Sequence, residues 1–162
     1  MSDNDYCLSW TEFHRDTRAL ATQLLARHGA PLPWRGIIGI ARGGLIPAAI
    51  LARELNIRLV DSLCIASYDH DRQGEPEVIK AIAGDGEGFL LVDDLVDTGV
   101  TARVAREMLP RACFVSIYAK PAGRELSEFY AREFSQETWV HFPWDSELHY
   151  SAPLIGAPIT GE

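Results

Sequence analysis

The fold prediction starts from GFLLVDDLVDTGVTARVAREM, residues 88–108. Its first part, FLLV at residues 89–92, is a short continuous apolar run of the kind found in parallel strands that are covered on both faces. Asp93 and Asp94 follow directly. Because two adjacent carboxylates would repel each other if buried, we expect them at the carboxyl end of the strand, where they face solvent, hydroxyls or a metal. Open α/β sheets bind their ligands at that end.

A small polar turn follows the acid pair and opens a helix. Residues 97–101 read DTGVT, and the helical run 102–109 is closed by Pro110. The backbone N–H groups at such a helix start, together with the hydroxyls of Thr98 and Thr101, suit a phosphate. Carboxylates repel phosphates, so the best ligand carries a phosphate at one end and vicinal hydroxyls at the other. A phosphorylated ribose has this pattern, whereas a turn that only caps a helix needs one acid and not three.

Composition limits the class of protein. A length of 162 residues with 47% hydrophobic residues suits a single domain with a sizeable core. We expect this domain to comprise residues 1–162. The net charge of -8 argues against broad contact with nucleic acid, which requires clustered positive charge. We see no apolar run of membrane-spanning length and no secretion signal, and the three cysteines fit reduced thiols. A cytoplasmic protein is therefore expected.

Two further elements precede the acid pair. A capping box at Ser9 and Glu12 predicts a helix over residues 11–27, which we interpret as a packing helix without chemistry. GIIGIA, residues 36–41, predicts a second buried strand, and a helix is predicted over 45–55.

The turn between this strand and helix is Arg42-Gly43-Gly44. A βα turn of this kind lies at the ligand edge of the sheet. The glycine pair alone would fit a plain tight turn equally well. Arg42 favours a pyrophosphate site, because it supplies a cation beside the backbone N–H groups.

A long polar loop separates two further predicted strands, 57–66 and 78–82. Residues 67–76 read SYDHDRQGEP, which indicates a mobile hairpin loop. His70 lies between two aspartates, but ligands that are adjacent in sequence seldom converge on one metal ion.

Four motifs resemble one family. VDDLVDTGVTA, residues 92–102, resembles the binding signature of the phosphoribosyltransferases that use phosphoribosyl pyrophosphate. ARGG, residues 41–44, is similar to the SRGG pyrophosphate loop of the 6-oxopurine members. AKPAGR, residues 119–124, looks like the end of their base-recognition strand, and TWVHFPWD, residues 138–145, resembles the hood of the xanthine-guanine branch.

The likeness runs over about residues 5–160 and implies an α/β protein with the type I phosphoribosyltransferase fold. This fold has a mainly parallel central sheet flanked by helices, with a small C-terminal hood formed mainly by about residues 121–162. The implied reaction is purine salvage: Mg²⁺-dependent transfer of 5-phosphoribosyl from phosphoribosyl pyrophosphate to N9 of guanine or xanthine, giving GMP or XMP and pyrophosphate. Relatives are commonly homotetramers.

The resemblance also implies residue roles. Asp97 is the general acid/base at N7 of the base, and Asp94 is the main Mg²⁺ ligand. Lys120 binds the exocyclic oxygen, Trp139 stacks on the base, and the Val140 backbone reads its edge. The residues implied to bind phosphoribosyl pyrophosphate are Arg42, Gly43, Asp93, Asp94, Leu95, Val96, Asp97, Thr98, Gly99, Val100 and Thr101.

Two details of the resemblance concern loops. In relatives the peptide before the loop arginine is often cis, so we expect a strained cis peptide at Ala41–Arg42. The polar loop after residue 66 looks like their flexible lid, which excludes water from the reactive sugar. The lid arginine of relatives corresponds to Gly74 here, and the sequence does not decide whether Arg72 replaces it.

Several alternatives stay open at this level. Lys120 could be a solvated lysine at a strand end, and the tryptophans of residues 136–145 could be core residues. The preferred base could be hypoxanthine. The chain could also be a non-catalytic, nucleotide-sensing regulator of the same fold, or a phosphoacceptor receiver domain. The sequence fixes neither the oligomeric state nor whether the protein associates peripherally with the inner face of the cell membrane.

Overall fold

The structure is a computed structural model that describes residues 4–66 and 76–145. These residues belong to two compact units, one of residues 14–136 and a smaller one that combines residues up to 13 with residues from 137. In chain order the elements are β1 (Asp5–Cys7), α1 (Trp10–His28), β2 (Gly36–Ala41), α2 (Leu45–Glu54), β3 (Leu59–Ala66), β4 (Glu77–Lys80), β5 (Phe89–Val96), α3 (Val100–Met108), β6 (Cys113–Ala119), β7 (Phe129–Glu133) and β8 (Trp139–His141).

The larger unit is built on a six-stranded sheet with the order β4-β3-β2-β5-β6-β7. All neighbouring strands run parallel except β3 and β4, which form an antiparallel pair at one edge. This arrangement confirms the predicted α/β fold with a mainly parallel sheet. The central strands β2, β5 and β6 are largely buried, and for β2 and β5 the continuous apolar runs of the sequence predict this.

Part of the core of the larger unit lies between this sheet and α3. The buried members of this part are Ile38, Ile40, Leu63, Ile65, Leu91, Val96, Ala102, Ala105, Leu109, Ala112 and Phe114. The strands are therefore fixed by packing, and the loops at their carboxyl ends start from rigid positions.

The smaller unit contains a parallel pair of strands, β1 and β8, whose register matches Tyr6 with Val140. The ring of Phe13 packs edge-on against Trp144, with 5.0 Å between the centroids, and Trp144 stacks on Phe142 at 4.6 Å. The predicted limits of the hood stay a prediction. Of its predicted residues, the segment 129–133 pairs with β6 in the larger sheet.

Most element boundaries agree with prediction, and the capping box forms as predicted. The backbone N–H of Glu12 donates to Ser9 Oγ at 3.2 Å, and Ser9 N–H donates to Glu12 Oε2 at 3.1 Å. The main difference is β5, which continues through the acid pair to Val96 because its pairing with β6 continues to that residue. None of the helices in residues 4–66 and 76–145 has the length and apolar character needed to cross a bilayer.

Candidate active site

The first loop of the site follows β2. The Ala41–Arg42 peptide is cis, as the family resemblance predicts, and Arg42 is exposed. A Cβ placed on Gly44 would lie 2.7 Å from the Ile40 carbonyl oxygen, and one on Gly43 would lie 2.5 Å from Cγ of Asp94. Neither position has room for a side chain. The glycine pair therefore brings this backbone against the acid pair of β5, which a plain tight turn would not require.

Of the acid pair, Asp94 is partly exposed, whereas Asp93 is buried within β5 and does not face solvent. That the two acids face hydroxyls or a metal stays a prediction. Burial, followed by the neighbouring Asp94 charge, raises the pKa of Asp93 well above its ordinary value. One Asp93 oxygen accepts the N–H of Asp94 at 3.0 Å, and Asp94 Oδ1 accepts the N–H of Leu95 at 2.7 Å. The strand continues past both acids because Asp93, Leu95 and Val96 stay paired with β6.

The polar turn after β5 forms the start of α3. Gly99 precedes the helix with φ of 83°, a left-handed conformation that a glycine adopts without steric cost. The first N–H groups of an α-helix lack acceptors within the helix, and Thr98 and Val100 are exposed beside them. This geometry can hold a phosphate.

A third loop packs against this turn. Lys120 N–H donates to the Val96 carbonyl at 2.9 Å. A Cβ on Gly123 would lie 2.7 Å from the Asp97 carbonyl oxygen and 3.1 Å from the Gly99 nitrogen. The ends of β2, β5 and β6 thus meet at one edge of the sheet, as predicted.

Asp97 lies between two side-chain donors. The ammonium of Lys120 donates to its Oδ2 at 2.8 Å, and Nε2 of Gln136 donates to its Oδ1 at 2.7 Å. The lysine is only 4% exposed, so the alternative of a solvated strand-end lysine is wrong. A buried ammonium is costly without a partner, and the carboxylate supplies one.

The remaining predicted site residues belong to other segments of the chain. Trp139 and Val140 belong to β8 in the smaller unit, and the Trp139 side chain is 52% exposed. Its predicted stacking role and the edge-reading role of Val140 stay predictions. The lid residues Arg72 and Gly74 lie outside the described residues, as does His70.

The donor set at the acid pair fits Mg²⁺. This ion prefers oxygen ligands and is usually held by one or two carboxylates together with substrate phosphates and water. Asp94 offers a partly exposed carboxylate beside the Gly43 backbone. Across the described ranges no three metal-ligating side chains converge, so no closed protein cage is formed there.

Two residues of this site had no role in the sequence prediction. Gln136 was treated only as the first residue of an aromatic segment, and Gly123 only as part of a loop motif. Nothing in the local pattern indicates a contact with Asp97 from 39 residues away along the chain. Such contacts depend on tertiary structure, and only the order of strands β5, β6 and β7 makes them possible.

Comparisons with known proteins identify the family. Residues 8–151 match the family model of the phosphoribosyl transferase domain. The xanthine-guanine phosphoribosyltransferase of Chromohalobacter salexigens is 55% identical over 150 residues, which cover 93% of this chain and 90% of that protein. The enzyme of the same name from Desulfotalea psychrophila is 52% identical over 152 residues, covering 93% of this chain and 92% of that protein.

Among solved structures, the purine phosphoribosyltransferase from Pyrococcus horikoshii OT3 is similar, with a TM-score of 0.73 and 27% identity over 93% of this chain and 99% of that chain. These matches favour an enzyme over the receiver-domain and regulator alternatives. The sequence similarity extends over most of the chain, and the chain belongs to the phosphoribosyltransferase family.

Proposed function

We propose that the protein is a purine salvage enzyme that transfers 5-phosphoribosyl from phosphoribosyl pyrophosphate to N9 of guanine or xanthine, giving GMP or XMP and pyrophosphate. The observation that carries the proposal is the contact between Lys120 and Asp97, 2.8 Å long, at the same sheet edge as the phosphate-binding helix start. It places a donor and an acceptor side by side where a base would meet the sugar.

This pair is complementary to one edge of a 6-oxopurine. In the guanine tautomer that carries its proton on N7 and none on N9, this edge presents the O6 acceptor beside the N7–H donor. The Lys120 ammonium can only donate, so it suits O6, while the carboxylate of Asp97 can accept a proton from N7. Adenine has an amino donor in place of O6, and two donors would then oppose each other. The geometry therefore supports oxo bases over adenine.

The sugar phosphate binds through the other loops. The 5′-phosphate lies at the start of α3, where residues 98–101 supply N–H groups and hydroxyls. Arg42 and the Gly43 backbone bind the pyrophosphate, and the carboxylates of Asp93 and Asp94 bind the ribose hydroxyls. Asp93 is buried in β5 and Asp94 is partly exposed, so Asp94 is the more accessible of the two carboxyl groups.

The transfer step follows from this placement. N9 forms a bond to C1′ as the bond between C1′ and the pyrophosphate oxygen breaks, and the proton on N7 passes to Asp97. Positioned proton transfer of this kind contributes a factor of about 10² to 10⁴. Mg²⁺, held mainly by Asp94, would supply charge stabilisation to the departing pyrophosphate.

Finer features of the proposal come from the family resemblance. Trp139 stacks on the base and Val140 reads its C2 edge, where guanine, xanthine and hypoxanthine differ. Hypoxanthine, which differs from them only at C2, is included as a further substrate. We propose a cytoplasmic homotetramer, which sedimentation velocity of the purified protein would test.

The test of the reaction is direct. The protein is incubated with phosphoribosyl pyrophosphate, Mg²⁺ and one of guanine, xanthine, hypoxanthine or adenine, and the nucleotide is quantified by chromatography. GMP and XMP should form and AMP should not form. Formation of AMP at the rate of GMP, or no nucleotide from any base, would refute the proposal.

A variant separates chemistry from binding. Asp97→Asn should bind phosphoribosyl pyrophosphate with unchanged affinity and lose kcat by about 10² to 10⁴. The matched control is Asp61→Asn, which removes an exposed carboxylate paired with Lys80, far along the chain from Asp97. Asp61→Asn should keep its kcat. A near-normal kcat in Asp97→Asn would remove the acid/base role.

A further inference from the structure

Gln136 makes two hydrogen bonds that fix the orientation of its amide. Its Oε1 accepts the backbone N–H of Ala122 at 2.9 Å, and its Nε2 donates to Asp97 Oδ1 at 2.7 Å. The oxygen and nitrogen of a carboxamide are similar in size, so which atom faces which partner is usually assigned from the hydrogen bonds. Here a backbone N–H can only donate, so the oxygen must face Ala122 and the NH₂ group must face Asp97.

The carboxylate that receives this bond has few other constraints. The Asp97 side chain is 44% exposed and follows the last residue of β5, so packing alone does not hold its rotamer. Lys120 holds one oxygen from the buried side and Gln136 holds the other. Both donors together define the plane of the carboxylate.

We propose that Gln136 is a positioning residue for the transfer reaction, which orients the carboxylate of Asp97 through its amide while the Ala122 N–H orients the amide. This inference rests on the proposed function. It assigns the two oxygens of Asp97 different roles. Oδ1 stays bound to Gln136, and Oδ2 receives the N7 proton once Lys120 turns from Asp97 to the exocyclic oxygen of the base.

The same bonds link acid/base chemistry to base recognition. Ala122 lies two residues after Lys120, in the loop where the N–H groups of Gly123 and Arg124 donate to the Lys120 carbonyl at 3.0 and 2.9 Å. Gln136 therefore connects this loop to Asp97. Without that connection the carboxylate could rotate away from N7 after Lys120 has left it, and a misplacement of 1 Å can lower a rate about 10²-fold.

Two substitutions at the same site separate the contacts. Gln136→Met keeps the length of the side chain and removes both hydrogen bonds, whereas Gln136→Glu keeps an acceptor for Ala122 and sets a carboxylate against Asp97. We expect kcat to fall about tenfold in the first variant and about 10²-fold in the second. The KM for phosphoribosyl pyrophosphate should change less than twofold in both. Gln23→Glu, at an exposed position of α1, is the matched charge control and should keep its kcat.

A double-mutant cycle shows whether Gln136 acts through Asp97. In the Asp97→Asn background, Gln136→Met should lower kcat by less than twofold, because the oriented carboxylate is already gone. A merely structural role would cost the same factor in both backgrounds. Equal losses, a wild-type kcat in both Gln136 variants, or a rise in the KM for phosphoribosyl pyrophosphate at unchanged kcat would each overturn the inference.

The cycle also separates this inference from the proposed function. If Asp97→Asn is impaired and the Gln136 variants are not, only the positioning role fails. If Asp97→Asn keeps a near-normal kcat, the acid/base role fails and the positioning role fails with it. Thermal melting of each variant verifies that it is folded, since Gln136 is only partly buried and its replacement should leave the core intact.

Discussion

Gly43→Ala should disable the site without unfolding the protein. A Cβ at this position would lie 2.5 Å from Cγ of Asp94, whereas carbon atoms in contact settle at about 3.5 to 4.0 Å. One of the two groups must therefore move by about 1 Å. Asp94 cannot rotate freely, because its Oδ1 accepts the Leu95 N–H at 2.7 Å. The variant must displace either the carboxylate or the loop backbone, and both belong to the proposed phosphoribosyl pyrophosphate site.

The expected cost follows from that displacement. A misplacement of 1 Å lowers rates by about 10²-fold, which corresponds to about 2.7 kcal/mol of transition-state stabilisation. The assay is the initial rate of GMP formation at varied phosphoribosyl pyrophosphate, which gives kcat/KM for that substrate. The Mg²⁺ concentration required for half-maximal rate should rise as well, because Asp94 is the proposed metal ligand.

The control for this variant is Gly29→Ala. Gly29 has φ of 70° and nothing lies within 4 Å of its added Cβ, so the substitution strains the backbone by about 1 to 2 kcal/mol without touching the site. It should lower the melting temperature and leave kcat/KM unchanged. If Gly43→Ala melted like the wild type and kept kcat/KM within twofold, the close approach between Gly43 and Asp94 would have no functional meaning.

Three further predictions concern other parts of the molecule. Gly123→Ala should raise the KM for phosphoribosyl pyrophosphate about tenfold in initial-rate assays, because its Cβ would lie 2.7 Å from the Asp97 carbonyl oxygen and displace the proposed phosphate-binding turn. Trp139→Ala should raise the KM for guanine by a factor of about 5 to 150, since stacking of a base on an aromatic ring is worth about 1 to 3 kcal/mol. The Cys113 thiol should resist alkylation at pH 8, because burial and, second, the charge of Glu128 raise its pKa to about 12. Alkylation, measured by mass spectrometry, should become faster only as the pH rises towards that value.

The predictions for Trp139 and Cys113 each have a matched comparison. Trp10→Ala removes another exposed tryptophan and should leave the KM for guanine unchanged. Glu128→Gln should speed the alkylation of Cys113, because it removes a charge that disfavours the thiolate. Equal labelling of Cys113 and the exposed Cys7 in the folded protein would contradict the burial argument.

The strands and their loops were predictable because local patterns determine them. GIIGIA and FLLV are continuous apolar runs, and both became central strands of the sheet. The glycines and acids that interrupt such runs mark the carboxyl edge, so the meeting of these loops followed from the parallel topology.

The environment of each acid was not predictable in the same way. Asp93 is buried because β5 pairs with β6 beyond the apolar run, and no property of the residues 89–94 alone shows where that pairing ends. The contact of Gln136 with Asp97 depends on the position of a chain segment that follows β7. Side-chain contacts of this kind depend on how distant segments pack together. The spacing of apolar residues predicts the secondary structure of only one segment at a time.

The pairing of β1 with β8 gives the N-terminal residues an unexpected importance. The strand that carries Trp139 has Asp5–Cys7 as its partner among the described residues, and an isolated pair of strands is only marginally stable. Substitutions in Asp5–Cys7 that break this pairing would therefore loosen the strand that is expected to discriminate one purine base from another. Kinetic constants for competing bases are best compared on protein in which Asp5–Cys7 are unchanged.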